Sequence, residues 1–121
     1  MLEGLTIDYA FQGFLRIWPA WSAAGVTAVV CGDDLHAYGG MRAARKLRLA
    51  IPGDISLVGF NDIPYSELTA PSLTTVNLFA TRLGAEAAEM LREYILTGRA
   101  PRSKVVPSAL AIRESTGPVR S

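Results

Sequence analysis

Cysteine and histidine are almost missing from this sequence, which excludes disulfide frameworks and most metal sites. Its 121 residues include one cysteine, Cys31, and one histidine, His36. A lone cysteine in an apolar run cannot form an internal disulfide, and such a thiol is typically buried and inert. Without a signal peptide or paired thiols, the chain is expected in the cytoplasm. A zinc site would need further cysteine or histidine ligands, so we expect no metal and no cofactor.

An excess of charge and long apolar runs are missing as well. Twelve basic residues oppose eleven acidic ones, so the formal net charge is only +1 at pH 7. This balance gives no global electrostatic reason to bind nucleic acid or a membrane surface. No apolar run approaches the roughly 20 residues of a membrane span. The hydrophobic fraction is nevertheless 50%, which predicts an interface in addition to one small core.

Two short apolar runs on either side of a helical segment indicate the fold class. The runs are VTAVVC at 26–31 and ISLVGF at 55–60, and they are typical of strands covered on both faces in a parallel sheet. Between them, Gly32-Asp33-Asp34 opens a helix over about 35–49, which ends before Pro52-Gly53. The order strand, helix, strand predicts a right-handed βαβ unit whose strands end at one edge of the sheet. The fold class is therefore α/β.

Further elements are predicted on both sides of this unit. Asp8 can cap a helix over 9–17 that Pro19 interrupts. After a short extended piece at 74–77, apolar residues at helical spacing trace the buried face of another helix: Phe79, Leu83, Ala87, Met90, Leu91, Tyr94 and Ile95. The tail over 105–115 alternates as an edge strand would, and Pro107 supports an edge position.

Polar side chains follow both strands of the predicted unit. Asp33-Asp34 comes after the first strand and Asn61-Asp62 after the second. In an open α/β sheet, ligands bind outside the carboxyl ends of the strands. Carboxylate and amide groups suit the hydroxyls of a sugar or the edge of a nucleobase. We expect Asp33 and Asn61 to contact a ligand, whereas Asp34 could cap the helix and Asp62 could shape a turn.

A longer stretch of the sequence resembles the lac-repressor and galactose-repressor family of bacterial transcription regulators. The resemblance begins at about Val26, with VTAVVCGDDLHAYGGMRAARKLRLAIPGDISLVGFNDIPYSELTAPSLTTV, and continues through LGAEAAEMLREYILTG and ALAIREST to Thr116. The first 25 residues match weakly, through Asp8-Tyr9 and Gly13. The resemblance implies a periplasmic-binding-protein-like (type I) effector domain of two α/β lobes. Residues 1–121 would form one partial domain, an incomplete three-layer, parallel-sheet C-terminal lobe with segments that return from the other lobe.

The same resemblance implies roles for individual residues. Family members bind an effector between the lobes at the positions of Asp33 and Asn61, and an aromatic residue near Asp8 packs on it. The implied effector-binding residues are Asp33, Asn61, Asp34, Asp62 and Tyr9. Family members also dimerise through the helix that starts at Leu35 and the loop over 65–71. The implied dimer interface is Leu35, Tyr38, Met41, Tyr65 and Leu68.

The sequence departs from the family pattern at residues expected to contact the effector and in the segment that binds DNA. The family usually has Asn-Asp where this chain has Asp33-Asp34, and Asp-Asp where it has Asn61-Asp62. This exchange keeps one amide and one carboxylate, so we expect the effector class to persist while its identity shifts. Leu78 replaces a residue that is often polar and removes one expected contact. The helix-turn-helix and hinge helix that begin family members are absent from the sequence, so we do not expect this chain to bind DNA by itself.

Two functions from different classes fit these observations. The first is a non-enzymatic sensor of a sugar or small metabolite, homodimeric, whose DNA contacts are made by a helix-turn-helix outside this chain. The second is a receiver-type phosphoacceptor domain with Asp33, Asp34 and Asp62 around Mg²⁺. Receivers resemble one another in a Lys-Pro step late in the chain. Neither lysine of this sequence, Lys46 or Lys104, is followed by proline, which argues against the second function. No phosphate loop, nucleophile elbow or triad spacing indicates an enzyme.

Overall fold

The fold is an open sheet of four strands with two of its three described helices packed on one face. The computed structural model describes residues 6–119. The elements in chain order are α1 (Ile7–Ala23), β1 (Ala28–Val30), α2 (Asp34–Lys46), β2 (Ser56–Asn61), β3 (Thr74–Asn77), α3 (Ala80–Thr97) and β4 (Ala109–Ala111). The strands lie in the order β1-β2-β3-β4, the first three parallel and β4 antiparallel to β3. The predicted α/β class, the parallel βαβ unit and the edge strand are confirmed.

Helix α1 is longer than its sequence pattern predicts, and a different residue caps it. The side chain of Thr6 accepts a hydrogen bond from the backbone nitrogen of Tyr9 at 3.2 Å, so the prediction of Asp8 as the cap is wrong. The helix also continues through Pro19 to Ala23. It does so because Trp18 and Trp21 both pack on the Phe14 ring, with centroids 5.9 and 5.4 Å away, and this packing outweighs the lost hydrogen bond.

The core forms where α1 and α2 pack on each other and on the sheet. At Gly39 of α2, a Cβ atom would lie 2.6 Å from the Ala10 Cβ and 2.6 Å from the Ile7 carbonyl oxygen. The glycine therefore permits an approach of the two helices that no side chain would allow. The buried apolar residues are Phe11, Phe14, Ala37, Ala43, Ile55, Leu57 and Leu73.

The opposite face of the sheet is only partly covered within residues 6–119, since Ser56 and Thr74 on that face are buried, at 8% and 2% exposed, but its other end is open. The strand register places Val30, Phe60 and Leu110 on that face, and they are 77%, 38% and 56% exposed. The expectation that both apolar runs are covered on both faces is therefore wrong for this part of the chain. The physical reason is that α1 and α2 pack on the other face, where Leu57 is fully buried.

Helix α3 also lacks the buried face predicted for it. None of its residues is buried, and Leu91, Tyr94 and Ile95 are 59%, 50% and 71% exposed. The apolar stripe is present at helical spacing, but no element within 6–119 packs closely against it. The prediction of a buried face is therefore wrong for the described structure. None of the helices within 6–119 has the length and apolar content needed to cross a membrane.

Candidate functional site

The polar residues after the parallel strands meet at one edge of the sheet, as predicted. Asn61, the last residue of β2, lies opposite Asn77, the last residue of β3. Asp33 follows β1 at the same edge, because β1 and β2 are parallel. The backbone turns sharply after β2, with φ of 106° at Asn61 and 53° at Asp62. Asn and Asp are the non-glycine residues that tolerate this left-handed region best.

Asp33 caps helix α2. Its backbone is extended, with φ of −157°, and its Oδ1 atom accepts a hydrogen bond from the backbone nitrogen of His36 at 2.7 Å. The same Oδ1 atom lies 2.6 Å from Nδ1 of the His36 ring. The expectation that Asp34 is the cap is therefore wrong, since Asp34 is already the first helical residue. A fifth of the Asp33 side chain (20%) stays exposed, so it can still meet a ligand at the sheet edge.

Asp34 is buried and bound from three directions. It is only 1% exposed. Its Oδ1 atom accepts a hydrogen bond from Oγ1 of Thr75 at 2.5 Å, and its Oδ2 atom accepts from Oγ of Ser66 and the backbone nitrogen of Ile63, both at 2.8 Å. This geometry corrects the expected role of Asp34 as an effector contact. A carboxylate with almost no exposed surface, whose two oxygens already accept three hydrogen bonds, offers no surface to a ligand in this structure.

Asp62 forms an ion pair that sequence reasoning missed. Its Oδ1 atom lies 2.8 Å from Nη2 of Arg113, and both side chains are largely buried, at 11% and 18% exposed. Its Oδ2 atom accepts a hydrogen bond from Nδ2 of Asn77 at 2.8 Å. Arg113 also donates to the carbonyl oxygen of Leu73 at 2.8 Å. The available signal was Arg113 in ALAIREST, two residues after Ala111, which the sheet register places opposite Thr75.

A chain of hydrogen bonds leads from this edge to the outer side of α2. The hydroxyl of Ser66 donates to Asp34, so the Tyr38 hydroxyl, 2.9 Å from Oγ of Ser66, acts as the donor to Ser66. Burial raises the pKa of Tyr38 above its ordinary value, although the Ser66 hydrogen bond opposes this shift. Tyr38 therefore carries its proton at neutral pH and can serve as this donor.

The strand-end carboxylates do not form the acidic cluster that a receiver needs. Within residues 6–119, no group of three or more His, Cys, Asp or Glu side chains is arranged to hold a metal ion. Asp34 is engaged by hydrogen-bond donors and Asp62 by Arg113. Burial, followed by the charges of Asp33 and Asp34, raises the pKa of Cys31 to about 11, so its thiol is a poor ligand and nucleophile.

Two of the residues expected at a dimer interface, Tyr38 and Met41, line an open groove beside α2. Tyr65, Leu68 and Leu35 are 68%, 76% and 36% exposed, and Tyr38 and Met41 are half-buried. The groove has a volume of about 1160 Å³ between the later turns of α2 and the loop at 69–71. Four cations line it: Arg42, Arg45, Lys46 and Arg48. We use the name α2 groove for this groove taken together with the exposed Leu35 of α2 and the exposed Tyr65 and Leu68, which precede the lining residues 69–71 in the chain.

Tyr9 lies apart from the strand-end residues. It is 53% exposed near the start of α1, and α1 makes most of its contacts with α2. The neighbouring Asp8 pairs with Arg42 of α2, and the Arg42 guanidinium lies 4.4 Å from the centroid of the Phe11 ring. The structure therefore does not bring Tyr9 to the other expected effector contacts, and its role stays a prediction.

Comparison with known proteins gives the family. Residues 6–116 match the family described as periplasmic binding protein-like domain. The transcriptional regulator MalR of Streptomyces coelicolor, of the helix-turn-helix type, is 40% identical over 109 residues, which are 89% of this chain and 32% of MalR. The chain thus spans about a third of the length of this relative.

Solved structures give the same result. A LacI-family transcriptional regulator of Enterococcus faecium with bound ribose is similar over 96% of this chain and 42% of its own, at 26% identity and a TM-score of 0.84. A lac repressor dimer bound to operator and the anti-inducer ONPF is similar over 92% of this chain and 38% of its own, at 26% identity and a TM-score of 0.82. The chain belongs to the periplasmic binding protein-like domain family, and it corresponds to part of the effector-binding domain of LacI-family transcription regulators.

Proposed function

We propose that this chain is the sugar-sensing and dimerising part of a LacI-type transcription regulator. The observation that carries the proposal is the meeting of Asp33, Asn61 and the Asp62–Arg113 pair at the carboxyl edge of the parallel strands. Ligands of open α/β sheets bind at such an edge. The E. faecium relative with bound ribose supports a sugar as the class of effector. The relatives are regulators of transcription, which supports a sensor without catalysis.

Different residues have different tasks in this proposal. Asp33 can accept hydrogen bonds from sugar hydroxyls, and Asn61 can both donate and accept them. Asp62 is held in place by the ion pair with Arg113 and the hydrogen bond from Asn77. It would therefore line the site as a rigid side chain whose charge is already neutralised. Tyr9 remains a proposed packing partner for the sugar, to be reached by a movement of α1 or by the closing of a second lobe.

We also propose that the described residues are most of one lobe, with α3 and the segment after it reaching towards another. Two surfaces support this: the exposed apolar face of the sheet and the apolar stripe of α3. Apolar surfaces of this extent are usually covered in a soluble protein. In the whole regulator, which would work in the cytoplasm, a helix-turn-helix outside this chain would contact DNA, and the sugar would shift the populations of two lobe arrangements.

A symmetric dimer through the α2 groove is the last part of the proposal. An interface between identical subunits places the same surface of each on the other, so apolar residues such as Leu68 and Met41 would bury each other. The lac repressor relative is a dimer. Leu68→Asp should give monomers in light scattering. Val119→Asp is the matched control, since Val119 is equally exposed at 75% outside the groove. A dimer that survives Leu68→Asp would refute this interface.

Calorimetric titration of the natural protein tests the sugar site with ribose and with lactose and cellobiose, the sugars in the structures of two further similar regulators. Asp33→Ser removes the carboxylate but retains a side chain that can cap α2. Asn61→Gly removes the amide but tolerates the φ of 106°. Each should weaken binding at least about tenfold, which corresponds to about 1.4 kcal/mol. Asp54→Asn is the control, because its carboxylate binds the backbone nitrogen of Ala50, before β2 begins. Unchanged affinity in both site variants would refute the assignment.

A further inference from the structure

We infer that Asp34 is a positioning residue for the effector site. It holds the β2–β3 loop (residues 62–73) against the sheet edge, and so sets the affinity of Asn61 for the effector without touching the effector. The inference rests on the proposed function for its effector half. Its structural half, that Asp34 anchors the loop, stands on the contacts alone.

Three donors that are distant in sequence meet at the Asp34 carboxylate. The backbone nitrogen of Ile63, the hydroxyl of Ser66 and the hydroxyl of Thr75 follow Asp34 by 29, 32 and 41 residues. Two of these donors belong to the loop and one to β3. A single side chain at the start of α2 therefore joins the helix, the loop and the central part of the sheet.

The surroundings favour a buried negative charge at this position. A buried carboxylate is costly unless hydrogen-bond donors replace the lost water, and here three donors do so. Asp34 is also the first residue of α2, where the helix dipole favours an anion. At Gly59 of β2, a Cβ atom would lie only 2.1 Å from Oδ1 of Asp34 and 2.9 Å from Cδ2 of Leu73. The glycine thus leaves the space that the carboxylate fills.

The loop needs such an anchor because of the backbone conformation where it begins. Asn61 and Asp62 both have positive φ, at 106° and 53°. Unfavourable backbone conformations persist when neighbouring contacts determine them. The next backbone nitrogen, that of Ile63, is the one that Asp34 binds at 2.8 Å. The hydrogen bond to Asp34 therefore holds the turn that begins at Asn61, at the ligand edge of the sheet.

The anchor also reaches the α2 groove. The Tyr38 hydroxyl donates to Ser66, and Ser66 donates to Asp34. Ser66 itself is fully buried, at 0% exposed, and its carbonyl oxygen accepts from the backbone nitrogen of Leu73 at 2.7 Å. Removing the Tyr38 hydroxyl alone should consequently loosen the loop, although the ring remains in place.

Amide hydrogen exchange and calorimetry on the natural protein test both halves. The variants are Asp34→Asn, Ser66→Ala and Tyr38→Phe, with Asp54→Asn as the control for an Asp-to-Asn change elsewhere. In Asp34→Asn, amides of 62–68 should exchange at least tenfold faster while those of β2 and α2 keep their rates. Its affinity for whichever of ribose, lactose and cellobiose the wild type binds should fall about tenfold. In Ser66→Ala and Tyr38→Phe, the amides of 62–68 should exchange about threefold faster, and the affinity for the same sugar should fall about threefold.

Each outcome decides the inference. Loop exchange that stays unchanged in Ser66→Ala and Asp34→Asn overturns it, and so does a loosened loop with unchanged sugar affinity. Faster exchange spread evenly over the sheet would make Asp34 a general core residue and also overturn it. If Asp34→Asn does not fold, the Ser66 and Tyr38 variants decide in its place. If the wild type binds none of the three sugars, the proposed function fails, and the exchange pattern still decides whether Asp34 anchors the loop.

Discussion

The close approach of α1 and α2 predicts that Gly39→Ala destabilises the protein. The new Cβ would lie 2.6 Å from the carbonyl oxygen of Ile7 and 2.8 Å from the backbone nitrogen of Phe11. Carbon atoms in contact prefer separations of about 3.5–4.0 Å. Both contacted atoms belong to the backbone of α1 and cannot rotate away, so the helices must move apart by on the order of 1 Å.

The size of the effect follows from three contributions. Overpacking strain of this kind costs about 1–3 kcal/mol. Moving the helices apart also exposes part of the Phe11 and Phe14 rings, which are only 7% and 6% exposed, and a partial loss of their burial costs on the order of 1 kcal/mol. Alanine returns about 1 kcal/mol through its higher helix propensity. We expect a net destabilisation of about 1–3 kcal/mol.

Urea denaturation followed by circular dichroism measures this change. Gly13→Ala on α1 is the matched control, because a Cβ at Gly13 meets nothing within 4 Å. There only the helix propensity changes, so the control should be more stable than the wild type by about 0.5–1 kcal/mol. The same substitution should therefore have opposite signs on the two helices. A Gly39→Ala variant as stable as Gly13→Ala would refute the reasoning from close approach.

Three further predictions follow from single contacts. Cys31 should resist a thiol reagent in the native protein at pH 8, since a pKa raised to about 11 leaves roughly one thiolate in a thousand; labelling as fast as in unfolded protein would contradict this. Thr6→Ala should cost about 1 kcal/mol by loss of the α1 cap, and Thr6→Ser should restore most of it in the same urea assay. Hydrogen bonds from the backbone nitrogen and then the hydroxyl of Ser72 lower the pKa of Glu114. Their contribution to stability is therefore present above the unfolded-state pKa and disappears as the pH falls through the lower native value. Urea midpoints of wild type and Glu114→Gln should differ at pH 7 and converge in acid, and a difference that persists in acid would exclude this cause.

The sequence predicted the strands well because their signal is local. A run such as ISLVGF is apolar along its whole length, and the observed β2 (Ser56–Asn61) differs from it by one residue. The packing of other segments decides which face of a strand is covered, and the sequence of the strand itself does not indicate it. Val30 is part of an equally apolar run but is 77% exposed, because α1 and α2 pack on the opposite face. The apolar stripe of α3 shows the same limit.

The roles within the acidic pair could not be predicted for a similar reason. Asp33 and Asp34 are adjacent, and either side chain is a good helix cap. What separates them is tertiary: Asp34 points to Ser66 and Thr75, which lie far along the chain and are ordinary residues in sequence. The sequence did predict that Asp33 and Asn61 share an edge, because that follows from parallel strands alone.

The carboxylates at this edge already have partners, which supports the uncharged effector of the proposed function. The Asp62 carboxylate is matched by Arg113, and the Asp34 carboxylate is surrounded by donors and buried. Asp33 is held beside the His36 ring and at the start of a helix, where the dipole favours its negative charge. Hydroxyl groups can donate to Asp33 and exchange hydrogen bonds with Asn61 without adding charge. The Asp62–Arg113 ion pair and the hydrogen-bonded Asp34 therefore support a polyhydroxylated, neutral ligand such as the proposed sugar.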